Sequence, residues 1–324
     1  VKAGTTLGVS TTKAGDITVK GNVTSAKAGV EISTSNGDIA LGTNTPSTGA
    51  VAITAATTTN IADTNGDITL YGTATSQTGT TVKTITSGDI TVNGTLETKD
   101  QDGNDNDAKV GDVQVLAAKG NITLTNTGND VVNSSKAALV QTSEGNIDVT
   151  GNVIGATTAT LDGQKGHVSL TGDLTANNGL AKIAASDSSE DGTVGVGNIT
   201  VKGNVLSATN GMTINATQGN IQIGEATTTA SAVKAAKALE ITTTTAGSID
   251  VYGNLQTTDS TSGTVTVSAE NGSVSLTQAG TTLAENTPVA TEVINSANSV
   301  SITASDDIAD DDVLGDVAIT GNVI

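Results

Sequence analysis

The chain contains no cysteine, tryptophan, phenylalanine or arginine, and its 324 residues include only two tyrosines, one methionine and one histidine. Lack of cysteine excludes disulfides, thiol redox chemistry and thiolate metal sites. With a single histidine, His167, and no cysteine, neither a Ser-His-Asp nor a Cys-His constellation assembles. His167 itself stands in a turn slot that holds Asp16, Asn146 or Asn198 elsewhere, so it reads as a substituted turn residue. Enzymes that cleave acidic polysaccharides need a cationic groove and aromatic platforms, and a chain without Arg or Trp offers neither. The expectation is a protein that is not an enzyme.

Positive charge is equally scarce. Thirty-three acids face 14 lysines, for a net charge of −19. Such a surface repels nucleic acid and anionic lipid, and it keeps the protein soluble and favours cations. No apolar run is long enough to span a bilayer, so membrane insertion is not expected. Without large aromatic rings, a core must be filled by Val, Ile, Leu and Ala within the 35% of residues that are hydrophobic.

What the chain does have is 38 glycines and a recurring phrase. Gly197-Asn198-Ile199-Thr200-Val201-Lys202-Gly203-Asn204-Val205 reads as a turn, a short alternating strand, a second bend and a new strand. Its period of two belongs to a strand: Ile199, Val201 and Val205 point inward, Thr200 and Lys202 outward. Copies start at Gly15, Gly66, Gly88, Gly145, Gly166, Gly247 and Gly315, and shorter ones at Gly37, Gly120, Gly219 and Gly272. Gly15 to Gly37, Gly66 to Gly88 and Gly197 to Gly219 are each 22 residues apart. Return at such a period marks a solenoid, and regular alternation is what disordered Gly/Thr-rich chains lack.

The fold expected is all-β: a right-handed parallel β-helix of about 13–14 coils of roughly 22 residues, with residues 1–324 forming one repeat region. Each coil would hold a main strand, a Gly-Asn bend, a short strand and a third strand on another face. Gly49–Thr54, Leu239–Thr242 and Gly263–Val267 are read as that third strand. Ser231 to Leu239 is helix-competent and is read as a longer loop or a single turn.

Asparagines 22, 152, 204, 254 and 322 (Asn22, Asn152, Asn204, Asn254, Asn322) occupy equivalent bend positions. Two readings stand: stacked amides bonded along the solenoid as a ladder, or a residue that tolerates the left-handed conformation. Outward Thr18, Thr69, Thr91, Thr123 and Thr200 suggest a threonine face, which Asp148, Gln222 and Asp250 interrupt.

Three acidic stretches break the repeat, at 100–107, 187–192 and 306–312. In the first, Asp100, Asp102, Asn104, Asp105 and Asp107 place oxygen ligands close together, as in the first half of a calcium loop. Asp105 and Gly111 stand where that loop needs Gly and Glu, so calcium binding and a solvated acidic loop are both open. No other cofactor is implied.

Gly120-Asn121-Ile122-Thr123-Leu124-Thr125 and Gly145-Asn146-Ile147-Asp148-Val149-Thr150 resemble the repeats of filamentous-haemagglutinin-type bacterial exoproteins. The resemblance covers nearly the whole chain, but only at scaffold positions. It implies a β-helical rod, secretion across an outer membrane through a partner pore, and attachment to host or neighbouring cells or matrix.

At its ends the sequence shows no evident cap, and Ile324 followed by Val1 would continue a coil. This gives two roles: the rod of a secreted surface adhesin within a longer array, or a filament subunit that stacks end to end on other copies of itself.

Overall fold

The computed structural model describes residues 1–43, 50–99, 111–186, 197–225, 231–278, 292–305 and 315–324. They form two compact units, Val1–Asp162 and Gly163–Ile324. Among the described residues no helix forms, and the strand ladders are parallel, as in a β-solenoid.

In the first unit one coil shows the plan. Ile68–Ser76 carries two legs: Ile68 and Leu70 point inward before a bend at Gly72, and Ala74 and Ser76 after it. Gly79–Ser87 is the third leg, with Thr80, Val82 and Thr84 inward. The turn at Gly88-Asp89 then starts the next coil at Ile90–Thr98. Equivalent residues stack in register: Ile39, Ile68, Ile90, Ile122 and Ile147 form one inward column, each with no exposed surface. Each such burial contributes about 1.5–3 kcal/mol, so small aliphatics replace aromatics by repetition.

The second unit repeats this plan. Ile199, Ile221, Ile249 and Val274 stack on the first leg, Val205, Val233 and Leu255 on the second, and Ile183, Ile214, Ile241 and Val267 on the third. Ile199, Val201 and Val205 are fully buried while Lys202 is exposed, as their alternation requires.

Glycine at the turn is a steric necessity. Gly88 has φ +129°, and a Cβ there would lie 1.8 Å from the Gly66 carbonyl oxygen of the adjacent coil.

Three expectations need correction. Counted over both units, third legs return in about 11 turns roughly 25 residues apart, not 13–14 of 22. Insertions lengthen particular coils: Thr59 to Thr80 is one turn, and so is the longer run from Thr80 to Val113. Val51–Ala55 is a second leg, not a third, because Ile53 pairs with Val23 on one side and Ala74 on the other. Ser231–Ala235 is also a second-leg strand, without helix; Ser231, Val233 and Ala235 fill inward slots that the coil must occupy. Tertiary packing overrides local helix propensity there.

Candidate functional site

The polar groups that stacking brings together lie in columns at the bends and turns. At the second-leg bend, Asn22 Oδ1 accepts the Ala52 N–H at 2.9 Å, and Asn204 Oδ1 accepts the Ala232 N–H at 2.9 Å. Asn152 Nδ2 donates to Asp130 Oδ1 at 3.2 Å, and Asn254 Nδ2 donates to the Glu292 carbonyl at 2.7 Å. Asn322 registers with Glu292. Their neighbours in the column are thus Ala, Asp or Glu, so these five asparagines do not stack amide on amide. Each of these four side-chain bonds reaches an adjacent coil.

The continuous ladder runs instead along the glycine turn that opens each coil. In the first unit Asp16 Oδ1 accepts the Asp38 N–H at 3.0 Å, and Asp38 Oδ1 accepts the Asp67 N–H at 3.0 Å. Asp67 Oδ1 accepts the Asp89 N–H at 2.8 Å, Asp89 Oδ1 the Asn121 N–H at 2.7 Å, and Asn121 Oδ1 the Asn146 N–H at 2.9 Å. In the second unit Asn198 Oδ1 accepts the Asn220 N–H at 2.7 Å and Asn220 Oδ1 the Ser248 N–H at 2.8 Å. Ser248 Oγ then takes the Ser273 N–H at 3.1 Å, and Ser273 Oγ the Asp316 N–H at 3.4 Å. Each side chain satisfies a turn N–H that no strand partner reaches. The signal was in the sequence, in the Asp, Asn or Ser after each turn glycine. His167 stands in this slot, in register with Asn198, and is half-buried.

Behind the turn lies a second polar column at the inward end of the third legs, where Thr11, Thr34, Asp63, Thr84, Ala117 and Thr142 succeed one another in register. Its threonines donate to turn carbonyls: Thr34 Oγ1 to Gly15 at 3.1 Å, Thr84 Oγ1 to Gly88 at 3.1 Å, and Thr142 Oγ1 to Gly120 at 2.8 Å. Thr243 Oγ1 makes the same bond to Gly247 at 2.9 Å in the second unit. Asp63 occupies this column with no exposed surface. Its Oδ1 accepts the Asn65 N–H at 3.1 Å, and its buried Oδ2 has no hydrogen-bond partner. Burial pushes its carboxyl from 3.8 up to about 6; the backbone N–H groups of Asn65 and Thr64 oppose this, and the charges of Asp38 and Asp67 add to it.

The outward face is less ordered chemically. Thr69, Thr91 and Thr123 are successive, but Ala40 precedes and Asp148 follows them, so the threonine face is short. In the second unit, burial raises the carboxyl of Asp250, which stands in the corresponding outward row. On the third-leg face, an open cavity of about 370 Å³ is lined by Glu31, Asn60, Gly79, Thr81, Gln114 and Asp112 among others. One Asp112 oxygen is already engaged with the Ala137 N–H at 3.1 Å. The remaining mixture of acid, amide and hydroxyl selects no single ligand class.

The calcium candidates Asp100, Asp102, Asn104, Asp105 and Asp107 lie outside the described residues, as do the stretches 187–192 and 306–312. Among the described residues no group of three or more acids and histidines is placed to hold a metal ion. Comparison with protein-family models, with curated proteins and with solved structures gives no match.

Proposed function

We propose that this chain is the structural rod of a secreted bacterial surface adhesin of filamentous-haemagglutinin type, located outside the cell, where it mediates attachment or extends a binding tip. One observation supports this reading most: within each unit the same inward slots and the same turn bond return coil after coil. Such an architecture adds length with each coil, using only small aliphatics and a short polar acceptor. The polar column that accompanies it bonds the backbone to itself, which suits a scaffold better than a catalyst. Partners in this reading are flanking repeats at the ends of the stack and a host cell, neighbouring cell or matrix at the tip.

A filament subunit that stacks end to end on copies of itself is the second reading, and one surface bears on it. Val317, Ile319 and Val323 register with buried Val274, Leu276 and Ile294, yet they are 45%, 41% and 43% exposed. They present inward-type side chains on which another coil, from the same chain or another copy, would pack.

The mass of the native polypeptide under fully denaturing conditions separates these readings. A mass several times 31.7 kDa supports an adhesin in which these residues are one portion. A mass near 31.7 kDa, with head-to-tail polymers under native conditions, supports the filament and sinks the rod. If antibodies raised against this chain fail to label intact cells that express the protein, both readings fall.

A further inference from the structure

We propose that Asp63 is a proton-binding site of the first unit: when its carboxyl is protonated in the folded chain, the Oδ2–H takes the place of a threonine hydroxyl by donating to the Gly37 carbonyl.

The register carries the argument. Asp63 pairs with Thr34 in the coil on one side and with Thr84 in the coil on the other. Both of these threonines give their hydroxyl proton to a turn glycine carbonyl. Thr34 and Thr142 each reach the turn glycine of the adjacent coil, Gly15 and Gly120. On that pattern the carbonyl for Asp63 is Gly37, whereas Thr84 and Thr243 reach the glycine of their own turn, Gly88 and Gly247. The Gly37 oxygen and Asp63 Oδ2 lie 2.3 Å and 2.9 Å from the single point where a Cβ on Gly66 would sit, so both oxygens border the same small space beside Gly66.

The slot therefore presents an acceptor and calls for a donor. A carboxylate has none to offer and would place its charge against a carbonyl lone pair, whereas a carboxylic acid carries one O–H. Aspartate is here because one protonation state of its side chain imitates threonine. The other oxygen is already committed, since Oδ1 accepts from Asn65. The charges acting on the group are both acidic, Asp38 and Asp67 in the turn ladder, and they oppose ionisation. The neighbours in its own column, Thr34 and Thr84, do not titrate.

The linkage has a definite sign. The folded-state carboxyl titrates near 6 and the free side chain at 3.8. Folding thus takes up a proton in this window. The stabilisation is full below the free value and is lost as pH rises through about 6.

Two measurements on the full chain test the proposal. Carbon-13 NMR of the Asp63 carboxyl should show a midpoint near 6, well above that of exposed aspartates; a midpoint near 4 overturns it. Thermal melts at pH 5 and pH 7 are then compared for the wild type, Asp63→Asn and Asp63→Thr. Both variants supply a permanent donor. Relative to Asp63→Asn, the wild-type folding equilibrium should fall about tenfold between pH 5 and pH 7. That corresponds to a Tm shift of roughly 2–4 °C. A difference between wild type and variant that is the same at both pH values removes the proton from the site. Should Asp63→Thr fail to fold, Asp63→Asn and the NMR midpoint decide.

Discussion

The two units build the same turn ladder from different chemistry. In the first, Asp16, Asp38, Asp67 and Asp89 carry it before Asn121 takes over, whereas in the second it runs through Asn198, Asn220, Ser248 and Ser273. Bonds accepted by carboxylate and amide oxygens measure 2.7–3.0 Å, and the two accepted by serine oxygens are longer, at 3.1 and 3.4 Å. Reach, and not charge, is what the turn requires. A side-chain oxygen two bonds beyond Cβ spans the gap to the next coil, while one bonded directly to Cβ barely does. Charge adds a cost: acids stacked at strand spacing repel by about 1 kcal/mol per neighbouring pair in water. The first unit thus keeps a column of repulsion that the second avoids.

The core should not distinguish the two units at all. Ile90→Asp in the first and Ile199→Asp in the second each bury an unpaired charge in a fully enclosed column. Both should cost several kcal/mol and abolish the cooperative melt of the affected unit. An unchanged melting curve for either variant contradicts the inward placement of that residue.

Within the first unit, the turn glycines should differ among themselves. Gly88→Ala forces a side chain into φ +129° and against the Gly66 carbonyl, which should lower stability by about 2 kcal/mol or more. Gly15 has only the Thr11 methyl at 3.8 Å from its hypothetical Cβ, so Gly15→Ala should stay within about 0.5 kcal/mol of wild type. Equal losses from the two substitutions would show that stacking does not set the glycine requirement.

Ladder substitutions should have the smallest effects and sharpen the contrast most. Asn220→Ala removes the acceptor of the Ser248 N–H and should cost about 1 kcal/mol. Asp67→Asn in the first unit keeps an acceptor for the Asp89 N–H while removing charge, so it should raise stability by a few tenths of a kcal/mol at low salt. That gain should vanish near 1 M salt. If Asp67→Asn destabilises at every salt concentration, the carboxylates are held for their charge and the reach argument fails.

Much of this architecture is legible in the chain because its signals are local. Alternation of period two assigns Ile199, Val201 and Val205 to the interior without knowledge of any neighbour. Glycines at turns follow from the same phrase. The ladder was less legible because the coil has two bends with similar Gly-Asx dipeptides. Asn22 and Asn204 look equivalent to a ladder residue, yet the coils beside them supply Ala52 and Ala232. Only the register from coil to coil reveals which bend has an acceptor at every step. Val51–Ala55 illustrates the same difficulty, since its alternation suits any leg and its pairing with Val23–Ser25 makes it the second. Ser231 to Leu239 is helix-competent in isolation and reads as a loop or a single turn, yet Ser231–Ala235 becomes strand because two adjacent coils offer it ladder partners.

The sequence by itself determined that this protein is a β-solenoid, where glycine must stand, and which aliphatics fill the interior, since each depends on a residue and its immediate neighbours. Tertiary structure decided the number of turns, the leg to which each strand belongs and the bend that carries the ladder. It also placed Asp63 among threonines from coils more than twenty residues away. Those outcomes depend on which residues insertions of unequal length bring into register, and that is a property of stacked coils that no single coil contains.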